Sequence, residues 1–191
     1  MRSSNNRLLL QSRRVLACVL MLMGAGGHAA QADVVRDALV QMFGAKVVIT
    51  PVTCAVPDAV RDEVKERCSR TIPASVTLWR IEEGGVLKGW AMKDDVRGKT
   101  LPITYMTVFT PGGSIHAVEI LVYRESHGGE VQSAMFTRQF VGKSAESALR
   151  VGTDIRNISG ATISSRAVTN GARALAMLFA GLRSAGTLAA K

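Results

Sequence analysis

Between Ser75 and Tyr123 the chain holds four apolar, β-branched runs separated by turn-forming clusters, and this spacing restricts the fold more than any other feature. Val76-Thr77-Leu78-Trp79-Arg80-Ile81 and Val86-Leu87-Lys88-Gly89-Trp90-Ala91 flank Glu82-Glu83-Gly84-Gly85. Leu101 to Phe109 and Ile115 to Tyr123 flank Thr110-Pro111-Gly112-Gly113. Strand-forming runs around such turns predict two hairpins. The run His116 to Tyr123 is nearly continuous in apolar residues, so it is expected as a central strand. The signal then changes period. From Arg166 to Arg183, the residues Ala167, Gly171, Ala174, Leu175, Leu178, Phe179 and Leu182 recur at helical spacing, which predicts a long helix starting near Ser164 or Ser165. The expected fold is α+β, a twisted and mainly antiparallel sheet with helices packed on it and a long C-terminal helix.

Upstream of the hairpins the pattern is mixed. Val34, Val35, Ala38, Leu39 and Met42 put an apolar face on a helix over Asp33 to Phe43. Lys46 to Val52 is β-branched and extended, and the charged stretch Pro57 to Arg67 suits an exposed helix. Downstream, Glu130 to Phe140 is expected as a short helix and Ala145 to Arg150 as another.

Residues 1–32 read as a secretory leader. Basic residues end at Arg13-Arg14, an apolar run follows from Val15 to Met23, and Ala30-Gln31-Ala32 offers a small-x-small cleavage site. An uncleaved membrane anchor is the alternative, and the general secretion route is favoured over twin-arginine export. Cys54 and Cys68 remain after the leader. In an oxidising compartment they can pair as a disulfide, worth about 3 kcal/mol in the chain-entropy model. Their spacing is neither Cys-x-x-Cys nor a zinc pattern, which puts structure ahead of redox or metal chemistry.

The 191 residues suffice for a domain with its own core, and 47% hydrophobic against 20% charged residues is a globular composition. The net charge of +9 falls to +5 without the leader. No basic stripe with interleaved aromatics is present, so nucleic acid is not an expected partner. His116 and His127, the histidines left beyond the leader, form no triad with a serine or cysteine. Trp79 and Trp90 read as strand residues of the core rather than of a site.

The chemistry concentrates just before the long helix, in Asp154-Ile155-Arg156-Asn157-Ile158-Ser159-Gly160-Ala161-Thr162-Ile163-Ser164-Ser165. Two readings apply. Hydroxyl residues ahead of a helix serve as N-caps and glycine as a turn. Alternatively, the free N–H groups and positive dipole end of the helix hold a phosphate, with Gly160 and Ala161 allowing close approach and the Thr162 hydroxyl beside it.

Ser159-Gly160-Ala161-Thr162-Ile163-Ser164 resembles the Ser/Thr-Gly-Ala-Thr-x-Ser/Thr flavinylation motif of the FMN-binding domain family. That family includes FMN-carrying subunits of sodium-pumping NADH:quinone reductases and Rnf-type complexes. A second stretch, Tyr123-Arg124-Glu125-Ser126-His127-Gly128-Gly129-Glu130, followed by Phe136, Phe140, Val141, Gly142 and Lys143, is similar to the family's Glu-Thr-x-Gly and Phe-x-Gly segments. Arg97-Gly98-Lys99-Thr100 resembles a third, where Lys99 is either a flavin contact or an exposed loop lysine. The sequence departs from the family near the motif, where Arg156 and Asn157 stand in place of an acidic residue and Asp154 lies further back.

The resemblance implies FMN held by a phosphoester to Thr162. Ser159, Gly160, Ala161 and Ser164 would surround the phosphate, and Glu125, Gly128 and Gly129 the side facing the ring. It implies a separate flavin transferase that uses FAD and a membrane-bound reductase as redox partner. The expected organisation is a leader (1–32), an N-terminal segment with the two cysteines (33–74) and an FMN-binding domain (75–191). The expected role is an extracytoplasmic, periplasmic electron carrier. The competing expectations are a secreted binding or assembly module of the same fold without covalent flavin, and a noncovalent flavin binder.

Overall fold

A computed structural model describes residues 34–188, so the leader lies outside the described residues. Helix α1 covers residues 34–43. Strand β1 (Val48–Ala55), helix α2 (Asp58–Cys68) and strands β2 (Ser75–Glu83), β3 (Val86–Arg97), β4 (Pro102–Phe109) and β5 (Ile115–Val122) follow. After short turns of helix around α3 (Ala134–Thr137), the chain closes with α4 (Thr162–Ser184). The strands form one antiparallel sheet in chain order, β1-β2-β3-β4-β5. Consecutive antiparallel strands need only short turns, and Gly84-Gly85 supplies one at φ +58 and +77.

Helices cover both faces of the sheet. On one, Val35 and Leu39 of α1 pack with Ile81, Ala91, Met106 and Val108. On the other lie α4 and α2, with Phe179 stacked on Phe109 at 4.4 Å between ring centroids. Strand β4 is consequently buried at every position from Ile103 to Phe109. The N-terminal segment is not set apart in space, since β1 belongs to the same sheet and α1 and α2 to the same packing layers.

The expectation that β5 is central is overturned, because it is an edge strand. Its apolar run reflects two covered faces, with Val118 and Ile120 toward the α4 side and Ala117 and Leu121 toward α1. The following segment covers the start of its outer edge. There the Gly142 N–H donates to Ile115 O at 2.8 Å, and the Ile115 N–H donates to Lys143 O at 2.6 Å.

Two helix expectations also change. Glu130 to Phe140 breaks into two 3-10 turns, Gly129–Gln132 and Arg138–Phe140, around α3. Residues 145–150 form no helix. Leu149 sits at φ +44, and the carboxylate of Asp154 accepts from the Leu149 and Arg150 N–H groups at 2.9 and 2.8 Å, closing a loop instead.

The cysteines are unpaired in the structure. The Cys54 thiol faces the Thr187 carbonyl at 3.9 Å, and Cys68 lies 3.3 Å from Met177 Sδ. Burial pushes both thiols up.

Gly171 lets α4 approach the sheet closely. A Cβ there would stand 2.3 Å from Tyr105 Oη and 2.7 Å from Val96 Cγ1. Gly171→Ala is therefore expected to lower the unfolding free energy by about 1–3 kcal/mol, as overpacked cores do. Urea denaturation would measure it, and an unchanged midpoint would show that the helix shifts at no cost.

Candidate functional site

Helix α4 begins at Thr162, two or three residues earlier than expected, so this threonine opens the first turn. Ala161 precedes it at φ -119 and ψ 25, no side chain caps the helix, and no acidic residue lies in its first turn. The first amides of a helix have no intrahelical acceptor. Here no side chain caps them and no acidic residue lies in the first turn, so the end is suited to an anion. Before it, Gly160 turns the chain at φ +82. Ser159 and Gly160 are exposed, Thr162 is half-buried, and Ala161 and Ser164 are buried.

The loop after β5 packs directly on this helix start. The Tyr123 hydroxyl lies 3.1 Å from Ser164 Oγ and donates to the His127 carbonyl at 2.5 Å. Gly128, at φ +85, fits the remaining space. A Cβ there would lie 2.8 Å from Tyr123 Oη, 3.0 Å from Ser164 Oγ and 3.5 Å from Ala161 Cα. Both the positive φ and the contact favour glycine. Two stretches separated by some thirty residues thus meet at one place.

Residues 98–176 match the family model of the FMN-binding domain. Over these residues the chain is similar to the FMN-binding domain family. The crystal structure of NqrC from Shewanella oneidensis is similar to the chain, with a TM-score of 0.51 and 14% identity over 75% of this chain and 87% of that one. At that identity the likeness is one of fold. A comparison with curated proteins gave no match.

The structure holds the expected site residues in different ways. Ala161, Ser164 and Gly128 converge at the start of α4. Ser159 and Gly160 form the exposed turn before it, where a Cβ on Gly160 would be 3.8 Å from Glu130 Oε1. Gly129 packs beside Tyr123 and Gln132. Glu125 instead holds the 98–101 turn. Its Oε1 accepts the Thr100 N–H at 2.7 Å and the Leu101 N–H at 3.1 Å, and it fills the space beside Gly98. The Thr100 hydrogen bond leads the causes that hold this exposed carboxyl below the usual glutamate range. The turn that Glu125 organises carries Lys99.

Two contributions escaped the sequence reading. The Asn157 amide donates to Thr162 Oγ1 at 2.9 Å, so a side chain five residues upstream orients the threonine hydroxyl. An asparagine shortly before a hydroxyl residue at a helix start is the signal that could have shown it. Asp154 and Gln139 brace the loop that carries Asn157. Gln139 Oε1 accepts the Arg156 N–H at 2.7 Å, and Lys143 lies 3.6 Å from Asp154.

Burial works against ionisation of Asp154, but the Arg150 and Leu149 amides and the Lys143 ammonium outweigh it and hold the carboxyl below its ordinary value of 3.8. A depressed folded value contributes stability above the unfolded pKa that is lost as pH falls through the folded one. Asp154→Asn is therefore expected to reduce stability near neutrality and to flatten the loss of stability on acidification below about pH 4. Thermal unfolding of both proteins from pH 7 to pH 2 would measure this. Parallel curves would show that Asp154 contributes nothing through its charge.

Proposed function

We propose that this chain carries FMN through a phosphoester at Thr162 and works as an exported electron carrier between a membrane-bound reductase and a further acceptor. The observation that supports it most is the convergence of the Tyr123–Gly129 loop on Ala161 and Ser164, which stand on either side of Thr162 in the chain at the start of α4. The residues present fit the group. The helix end has no capping side chain and no acidic neighbour in its first turn, Gly160 keeps the approach open, and a side chain at Gly128 would close the cradle. The alternative in which Ser159 or Thr162 is merely a helix cap has no support in this geometry, because the N-cap is Ala161.

When bound, FMN supplies one- and two-electron redox chemistry that no side chain provides. The protein's own part is positional. Asn157 donates to Thr162 Oγ1, leaving the threonine proton free to pass to an external base. Attachment replaces the Thr162 O–H bond with an Oγ1–P bond, breaks the diphosphate of FAD and releases AMP. No group of three or more His, Cys, Asp or Glu side chains suited to a metal occurs among the described residues, which supports a separate flavin transferase as the catalyst. Ala161, Ser164 and the first amides of α4 would hold the phosphate. Gly128 and Gly129 would shape the side facing the ring by letting Tyr123 seat closely on the start of α4, and Lys99, on the turn held by Glu125, would stand on its flank.

Residues 1–32 would direct export, 33–74 would complete the sheet and its layers, and 75–191 would carry the flavin. No helix among the described residues is long and apolar enough to cross a membrane, so the membrane partner would be another protein or the segment before residue 34.

The deciding test is intact mass and peptide mapping of protein exported together with a flavin transferase. The expected product gains one FMN less one water on the peptide bearing Thr162, and Thr162→Ala removes the gain while the protein still folds. An unmodified mass in folded, exported wild-type protein would refute the covalent reading, as would a fully loaded Thr162→Ala variant. Gly128→Val is expected to lower loading severalfold by closing the cradle, read from the ratio of flavin to protein absorbance.

A further inference from the structure

The surface around Thr162 carries positive charge that the fold leaves unpaired. Arg124 follows Tyr123, whose hydroxyl meets Ser164. Arg156 precedes Asn157, whose amide meets Thr162 Oγ1. The Gln139 amide grips the backbone of Arg156, accepting its N–H at 2.7 Å and donating to its carbonyl at 3.4 Å, so the adjacent Arg138 belongs to the same surface. Arg166 lies one turn along α4 from Thr162 and Ile163. All four arginines are exposed, and none of their side chains makes an ion pair or hydrogen bond among the described residues.

The neighbouring carboxylates are already engaged. Glu125 is held by the Thr100 and Leu101 amides and faces Lys99. Asp154 is held by two amides and lies 3.6 Å from Lys143. Glu146 and Arg150, both exposed on the adjoining loop, offset each other in charge. Among the described residues of this face, Glu130 beside Gly160 is the carboxylate left to stand against Arg124, Arg138, Arg156 and Arg166.

Apolar side chains share the surface. Ile163 is 50% exposed, and Met135, whose carbonyl accepts from Gln139, is 78% exposed. These do not suit a bilayer, because the exposed positions that follow Ile163 along α4 are Arg166 and Asn170 instead of a continuous apolar stripe. Apolar contacts among arginines are typical of protein interfaces, and the guanidinium fork pairs with carboxylates in bidentate geometry. We infer that this face docks a protein partner with an acidic surface, Arg156 and Arg166 receiving its carboxylates and Ile163 supplying the apolar contact. A partner seated there is brought up to Thr162. Its identity as electron donor or acceptor rests on the proposed flavin reading, whereas the docking itself does not.

The test is calorimetric titration of the full exported protein with an acidic flavodoxin, with basic cytochrome c as the control of opposite charge. Arg156→Glu and Arg166→Glu reverse charge at the face. Lys65→Glu makes the same change at an exposed position of α2, which packs on the C-terminal half of α4. Flavodoxin is expected to bind and cytochrome c at least about tenfold more weakly. Each arginine variant should weaken flavodoxin binding by about threefold or more and the pair by about tenfold or more, with Lys65→Glu within about twofold and circular dichroism unchanged. Raising the ionic strength from about 0.02 M to about 0.2 M should also weaken it severalfold. Absence of flavodoxin binding would overturn the inference, as would equal binding of cytochrome c, or arginine variants that bind like the wild type or like Lys65→Glu. Binding to phosphatidylglycerol vesicles without binding to flavodoxin would overturn it too and mark the face as a membrane surface. These readings need no flavin, so an unmodified mass would refute the attachment and leave them standing.

Discussion

The close seating of α4 on the sheet is the constraint from which the other features follow. Gly171 has no Cβ, so Tyr105 and Val96 occupy the space where one would be. Further along, Gly181 admits Val60 of α2 in the same way, and Phe179 stacks on Phe109. These contacts leave α4 little freedom to slide or rotate, since a packed interior accommodates shifts poorly. The start of the helix, and with it Thr162, is thereby referenced to strands that are remote in sequence. Tyr123 completes the alignment by reaching from the end of β5 to Ser164.

Much of this was legible in the sequence, for local reasons. The hairpins announce themselves because Gly84-Gly85 and Pro111-Gly112-Gly113 are turn residues whose role depends on backbone conformation alone. The long helix is legible because its apolar period persists for many turns. The motif around Thr162 is legible because Gly160 and the hydroxyl residues have few alternatives at a helix start. What failed was whatever distant partners decide. Burial of β5 on both faces depends on helices before and after it, so an apolar run could not separate an edge strand from a central one. Residues 145–150 have adequate helix propensity, yet the Asp154 side chain captures two of their amides. Glu125 looked like a ligand contact because its motif marks it, while its actual partners lie 24 and 25 residues upstream.

The site and the end of the β2–β3 ladder illustrate opposite uses of one framework. Around Thr162, short polar contacts and glycines define a small, well-braced pocket edge in which side-chain positions are held by neighbours: Asn157 by the loop, the loop by Asp154 and Gln139. Where the β2–β3 ladder stops at Leu78–Met92, both strands remain paired with their other neighbours, β1 and β4. Rigid reference and local opening coexist because the meander transmits register from strand to strand, so an interruption in one ladder leaves the next intact.

Chain order adds a consequence for how the protein is made. Strands that pair with their sequence neighbours can assemble as the chain emerges, N-terminal parts first. Thr162 opens the last element, and its surroundings include Tyr123 from the last strand and a loop braced by Asp154. No earlier portion of the chain contains the assembled cradle. An external enzyme that recognises the threonine in this setting would discriminate finished molecules from nascent or misfolded ones without any separate inspection step. Under the proposed attachment, modification of this threonine would serve as a record that folding is complete.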